Sequence, residues 1–502
     1  MQLEQFLENS ARSDDRKTAL IVQGRRLSYG DLDRQSNRMA RALAAAGICR
    51  GDRVVICLEN TAEAVVSIFA ALKAGSVFAL VSPASRAETL CAIVKDSGAS
   101  ALIIEATKLN SVQQNLRNLP LKAVFPAIEP ILNSAIFAAD PLPTQTIDLD
   151  LAALIYTSGS TGSPKGVMLI HLNMVSAATS IAAYLKNTSD DVIMNVLPLS
   201  HGYGLYQILT AFKVGASVIL ERGFTYPAAI LNRMREEKAT GLPLIPTMSA
   251  ILSRMDLAAW DLSSLRYITN AGDAFPLHHI SRIRQLLPDV ELYSMYGLTE
   301  CQRVSYLPPD QIDVRPNSVG RGIPNQEFFI VDDGGNRLQR GTTGELVVRG
   351  SHVMKGYWEM PEETERVLRQ GPFPWEKALY TGDLFRMDEE GYLYFVGRKD
   401  HVIKTRGEKV HPKEIENILY TLPGIVEAAV VGVPDEVLGH SIKAIVVTEA
   451  AVQLTEEDVL RHCATHLEDF KVPQCVEFRA RLPKTQNGKI ARRELARKAE
   501  AA

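Results

Sequence analysis

The sequence has no cysteine pair at C-x-x-C spacing, no block of one charge sign, no uninterrupted apolar run of membrane length and no internal repeat. Its six cysteines (Cys49, Cys57, Cys91, Cys301, Cys463 and Cys475) are scattered over more than 400 residues. That spacing excludes a zinc ribbon, a dithiol motif and a disulfide scaffold, and predicts free thiols in a reducing compartment. Lys and Arg (55) nearly balance Asp and Glu (58), for a net charge of −3. Such a balance leaves no electrostatic footprint for nucleic acid or an anionic membrane surface. The most apolar stretch, residues 61–83, is interrupted by Glu63 and Lys73. A membrane span needs ~20 apolar residues, so this segment reads as a buried helix followed by a strand. The opening MQLEQFLENSARSDDR is polar, without the charged-then-apolar layout of a signal peptide. The expectation is a soluble, cytoplasmic protein with no membrane span and no nucleic-acid partner.

The sequence does contain the makings of a large globular enzyme. Of 502 residues, 46% are hydrophobic and 23% charged, and one domain per ~150 residues allows about three cores. Runs rich in β-branched residues at 53–58, 77–81, 101–104, 153–156 and 216–220 alternate with amphipathic stretches at 29–46 and 62–74. Residues 191–197 and 239–245 continue the rhythm. Buried strands alternating with helices predict parallel sheets covered on both faces. From about Gly320, short strand-like runs at 328–332, 344–349 and 392–396 are separated by turn residues, as in a small antiparallel barrel. After Gly397-Arg398-Lys399-Asp400 the texture becomes α+β: helix at 411–420, strands at 426–433 and 441–448, helix at 456–467.

The most informative segment is LIYTSGSTGSPKG at 154–166. A buried strand delivers the chain into a run of Gly, Ser and Thr that ends in Pro164-Lys165-Gly166. Glycines let backbone N–H groups converge on an anion, hydroxyls add donors, and the lysine supplies a mobile positive charge. A generic Ser/Gly connector would not end in Pro-Lys-Gly, and no G-x-x-x-x-G-K-[ST] phosphate loop occurs.

Four further motifs follow in order: YGLTE at 296–300, YTGD at 380–383, GRKD at 397–400 and PKTQNGK at 483–489. Together the five resemble the signatures of the adenylate-forming (AMP-binding) superfamily, which includes acyl- and aryl-CoA synthetases, stand-alone adenylation domains and luciferases. The resemblance implies an α/β fold: a large N-terminal domain of two packed doubly wound sheets plus a small β-barrel-like subdomain, then a small α+β C-terminal domain. The implied boundaries are 1–398 and 399–502, with a hinge near Asp400.

The implied reaction has two halves. A carboxylic acid attacks the α-phosphorus of ATP to give an acyl-adenylate and pyrophosphate; a thiol then takes the acyl group and AMP leaves. Bringing two anions together demands charge neutralisation. The resemblance assigns the triphosphate to Thr157, Ser158, Gly159, Ser160, Thr161, Gly162 and Lys165, and the α-phosphate to Thr299 beside Gly297. It gives Mg²⁺ to Glu300, adenine to Tyr296 with Ala271, Gly272 and Asp273 opposite, the ribose hydroxyls to Asp383, and the ribose or the phosphate region to Arg398. Lys489 is implied to bridge the carboxylate and α-phosphate in the transition state. Rotation about Asp400 then presents the loop from Lys404, with Gly407 allowing close approach to a pantetheine tunnel.

The acyl pocket is implied to lie at LPLSHGYGLY, with His201 as a gate and Gly202 and Tyr203 beside it. No acid occurs between Val196 and Gly215, so a substrate ammonium would be buried without a counter-charge. That favours a fatty or aryl acid over an amino acid. Arg303 departs from the small or apolar residue usual in relatives; it either recognises a polar or anionic group of the substrate or pairs with a structural acid. The thiol is that of CoA or of the phosphopantetheine arm of a separate carrier protein, since no attachment motif is expected within this chain. A luciferase-type fate of the adenylate, or an ATP-binding adaptor, remain the other readings. The adaptor predicts loss of an essential charge, yet Lys165, Glu300, Asp383, Arg398 and Lys489 are all present.

Overall fold

The structure, a computed structural model, describes every residue except 118, 134–135, 144–145, 159–163, 273–274, 276, 436, 450–451, 485–489 and 501–502. The first large sheet has seven strands, in the order Gly356–Tyr357, Pro164–Ile170, Leu151–Ser158, Val77–Leu80, Arg53–Cys57, Ala101–Ile104 and Ala123–Phe125. Its last five strands are mutually parallel, and the first two are antiparallel additions. The second sheet has nine strands. Its parallel centre is Thr18–Val22, Ser217–Leu220, Val192–Asn195, Gly241–Leu244, Tyr267–Asn270 and Glu291–Tyr296. Strands such as Val77–Leu80 and Ala101–Ile104 are buried at every position, which only a sheet covered on both faces allows.

Four helices (Tyr29–Ala45, Ala62–Lys73, His171–Tyr184 and Gly202–Val214) contribute to the core shared by the two sheets. That core joins Val54 and Phe78 from one sheet to Ile193 and Tyr293 from the other. Phe69 stacks on Phe212 with ring centroids 5.6 Å apart, and Tyr29 meets Phe212 edge-on at 5.3 Å. The first of these helices starts where the sequence provides a cap. Ser28 accepts from the Asp31 N–H while the Asp31 carboxylate accepts from Ser28 N–H, so two orphan donors are satisfied.

The barrel-like subdomain is a five-stranded antiparallel sheet in which Gln326–Val331, Thr343–Gly350, Lys377–Met387 and Leu368–Gln370 follow one another. Leu393–Arg398 pairs with the long third strand. A short turn at Lys399–His401 leads to a hairpin, Ile403–Thr405 and Glu408–Val410, and then to a three-stranded sheet with helices Pro412–Leu419 and Glu456–His466. This last part has a core of its own around Ile415, Val430, Ala444 and Val459. Lys399 and Lys409 both reach Asp333 (3.0 and 3.3 Å), and Lys399 also reaches Glu345 at 3.0 Å, tying the hairpin to the five-stranded sheet. Among the described residues no helix is long and apolar enough to cross a membrane, and all six cysteines are free thiols.

Two local features differ from expectation. Pro164, Lys165 and Gly166 belong to a strand, not to a loop: Thr157 pairs with Lys165 and Tyr156 with Gly166. The hairpin at Thr18–Val22 and Arg25–Ser28 is also new, its second strand masked in sequence by the exposed Arg25 and Arg26.

Candidate active site

Because Lys165 sits on a strand, its direction is set by the sheet. The side chain emerges on the neighbouring strand from Thr157 and is only 11% exposed. Its Nζ lies 2.6 Å from Glu363 Oε2 and 5.2 Å from the centre of the Tyr357 ring. The Tyr357 strand is held in place by pairing with Val167, and Trp358 N–H donates to the Gly166 carbonyl at 2.7 Å. A side chain at Gly166 would press on Tyr156 and Trp358, at 3.1 and 3.3 Å. Residues Gly159, Ser160, Thr161 and Gly162 of the loop lie outside the described residues; Thr157 and Ser158 end the strand that leads into it.

The Tyr357 hydroxyl donates to Glu300 Oε1 at 2.7 Å. Glu300 closes a tight turn that begins at Tyr296: Gln302 N–H donates to Leu298 O at 2.7 Å and Val304 N–H to Tyr296 O at 2.9 Å. Only glycine fits at Gly297, where a Cβ would lie 2.3 Å from the Gln302 carbonyl oxygen. Gln302 has a left-handed φ of 62° and ties back to the turn through its Nε2 on the Thr299 carbonyl at 2.8 Å. Such strain in a non-glycine residue is held by the surrounding bonds and clusters at functional sites.

From the other end of the same turn, the Tyr296 hydroxyl donates to Asp383 Oδ2 at 2.5 Å. Asp383 is 5% exposed and pairs across strands with Arg398, whose Nη1 is 3.0 Å from Asp383 Oδ1. Arg398 Nε also donates to Asp400 Oδ1 at 3.1 Å. Burial opposes the Arg398 charge, but Asp383 and Asp400 more than offset it and hold the guanidinium even more firmly protonated than usual. Burial, and next the Asp383 charge, push the Tyr296 phenol well above its ordinary range. One run of contacts therefore joins Lys165, Tyr357 and Glu300, a second joins Tyr296, Asp383 and Arg398, and the turn from Tyr296 to Glu300 connects the two. Ala271 and Gly272 follow the strand Tyr267–Asn270, parallel to the Tyr296 strand, while Asp273 lies outside the described residues.

His201 occupies the N-cap position of Gly202–Val214, with Ser200 Oγ 3.1 Å from its Nδ1. Gln302 reaches this helix start: a Cβ on Gly202 would lie 2.3 Å from Gln302 Oε1. The Tyr203 hydroxyl is 2.7 Å from Thr269 Oγ1, and the Arg303 guanidinium lies 5.2 Å from the Tyr203 ring centre. Gly202, Tyr203 and Arg303 are thus brought together beside His201.

Lys404 and Gly407 are not brought to the same place. Lys404 is exposed on the hairpin, Gly407 turns it with φ 82°, and no contact among the described residues links either to Glu300 or Asp383. Lys489 lies outside the described residues, between Lys484, which pairs with Glu427, and Ile490, which bridges back to Lys484. Sequence reasoning missed Tyr357, Glu363 and Gln302. The first two come from the segment after the nine-stranded sheet and carry no local motif; an aromatic next to Gly356 on a short edge strand was the only signal.

The described residues contain no cluster of three or more His, Cys, Asp or Glu that would hold a metal unaided. A single carboxylate with room for phosphate oxygens and water is nevertheless how Mg²⁺ is commonly bound, so Glu300 fits that ion.

Comparison with known proteins shows the family of the chain. The sequence model described as "AMP-binding enzyme" matches residues 7–358, and that of "AMP-binding enzyme C-terminal domain" matches 414–489. The chain is 31% identical to a long-chain-fatty-acid–CoA ligase of Escherichia coli O157:H7, covering 98% of this chain and 93% of the relative. It is 35% identical to a feruloyl-CoA synthase of Amycolatopsis sp, covering 97% of each. The crystal structure of ATP-bound MatB from Rhodopseudomonas palustris superposes with a TM-score of 0.91 at 29% identity, over 100% of this chain and 99% of the other.

Proposed function

Because this chain belongs to the AMP-binding enzyme family, we propose that it couples a fatty or aryl carboxylic acid to ATP and then passes the acyl group from AMP to the thiol of CoA. The observation that carries the reading is the pair of contact runs, Lys165 to Glu300 and Tyr296 to Arg398, that the turn between Tyr296 and Glu300 joins. Each has a role its chemistry suits. Lys165 neutralises the outer phosphates once drawn away from Glu363. Asp383, paired with Arg398, accepts from the two ribose hydroxyls. Tyr296 packs against adenine while its hydroxyl orients Asp383, and Thr299 meets the α-phosphate. Glu300, fixed by Tyr357, would hold Mg²⁺, which neutralises phosphate charge when bound. Lys489 would reach the reacting carboxylate from the C-terminal part.

The domain division at 398/399, with Asp400 as hinge, belongs to the same proposal. It is supported by the separate core after Lys399 and by the short turn at Lys399–His401. Lys404 and Gly407 would come to the site only after rotation. The exposed Arg406-Gly407-Glu408-Lys409 turn supports a second acceptor, the pantetheine arm of a carrier protein. Six free cysteines support a reducing, cytoplasmic setting. The test is acid-dependent exchange of labelled pyrophosphate into ATP across fatty, aryl and amino acids. Exchange with fatty or aryl acids is expected; exchange with amino acids alone overturns the substrate assignment.

A further inference from the structure

Arg303 is the most deeply placed cation near the acyl pocket, with 4% of its surface exposed. No carboxylate among the described residues lies within ion-pair distance of it, and its Nε has no hydrogen-bond partner there. What surrounds it is phenolic: the Tyr203 ring beneath the guanidinium at 5.2 Å, with Tyr206 and Tyr184, whose hydroxyl donates to Met295 Sδ at 3.1 Å, close by. The Tyr206 hydroxyl is also buried without a partner among the described residues. Burial pushes the phenols of Tyr184, Tyr203 and Tyr206 up, against the pull of Arg303. All three are therefore neutral near pH 7, and none compensates the guanidinium charge.

A buried charge without a counter-ion is costly, and cation–π contact with one ring offsets only part of that cost. The unsatisfied guanidinium N–H and the unsatisfied phenol of Tyr206 are two buried donors for which the described residues supply no acceptor. Their place settles which acceptor: Tyr203, under the guanidinium, follows His201 by two residues at the start of the Gly202–Val214 helix. The guanidinium fork matches a carboxylate in two parallel hydrogen bonds.

We propose that Arg303, with the Tyr206 hydroxyl, is a receptor for a second carboxylate, and that the preferred substrate is a dicarboxylic acid activated at the end remote from Arg303. This rests on the acid-activating function proposed above and narrows its substrate class.

The experiment compares pyrophosphate exchange with α,ω-dicarboxylic acids and with monocarboxylic acids of the same length, from four to twelve carbons. Benzoate and terephthalate form an aryl pair. Wild type is expected to favour the diacid in kcat/KM by about tenfold or more at its best length. Read as the diacid-to-monoacid ratio of kcat/KM within each protein, Arg303→Met should bring the preference to about one, Arg303→Lys should keep part of it, and Tyr206→Phe should reduce it. A wild-type ratio at or below one at every length and in the aryl pair overturns the proposal whether or not the variants fold. So does an unchanged ratio in Arg303→Met. Exchange with monoacids alone removes only this inference, whereas exchange with no acid of either series removes the acid-activating function with it.

Discussion

Lys165 and Glu363 form an ion pair at 2.6 Å, with the lysine largely buried and the glutamate on the first turn of the Pro361–Val367 helix. The lysine that should meet the triphosphate is therefore already engaged by a carboxylate 198 residues further along the chain. On the proposed role of Lys165, nucleotide binding exchanges one anionic partner for another. Glu363→Gln weakens the competitor and is expected to lower KM for ATP by about threefold to fivefold, the equivalent of roughly 1 kcal/mol. Steady-state exchange kinetics with ATP varied checks this; an unchanged or higher KM would mean that Glu363 positions Lys165 instead of competing for it.

The Tyr357 hydroxyl is the partner that orients Glu300. Removing the bond that orients a metal-binding carboxylate commonly costs about tenfold or more in metal affinity or activity. Tyr357→Phe should accordingly raise the Mg²⁺ concentration for half-maximal exchange by about tenfold, with little change in KM for the acid. The same half-saturation as wild type would separate Tyr357 from the metal site.

How much of this was legible beforehand differs by element. The strands Arg53–Cys57, Val77–Leu80 and Ala101–Ile104 were readable because β-branched runs between turn residues describe a strand buried on both faces. Tyr296, Glu300, Asp383 and Arg398 were readable because each sits inside a short motif. Glu363 and Tyr357 were not: they meet Lys165 and Glu300 only through sheet pairing between residues almost 200 apart, and no local pattern encodes that. Arg303 stood out as an anomaly, but its burial among phenols needed the packing of the His171–Tyr184 and Gly202–Val214 helices to be known.

His352 gives a stability signature. It is buried, and burial alone pushes its imidazole down to about 4. An unfolded histidine takes up a proton near pH 6.5, so the unfolded chain binds that proton first. Stability is full above pH 6.5 and falls as the pH drops towards 4, by on the order of 3 kcal/mol for this residue. Urea unfolding of wild type and His352→Asn at pH 7.5 and 5 should show a smaller acid loss in the variant. Equal losses would place the acid sensitivity elsewhere.

Asp400 follows Arg398 in the turn that leaves the five-stranded sheet and is bonded to it. Proline there would restrict the backbone on which the proposed rotation depends. Asp400→Pro is expected to reduce thioester formation at least tenfold more than pyrophosphate exchange. Equal losses in the two assays would remove Asp400 as the hinge.

The central claim is tested most directly by product stoichiometry. Purified protein with ATP, Mg²⁺, CoA and an accepted acid should yield AMP, pyrophosphate and acyl-CoA thioester in equal amounts, resolved by mass spectrometry. ADP and phosphate in place of AMP and pyrophosphate, or AMP without thioester, would contradict the account.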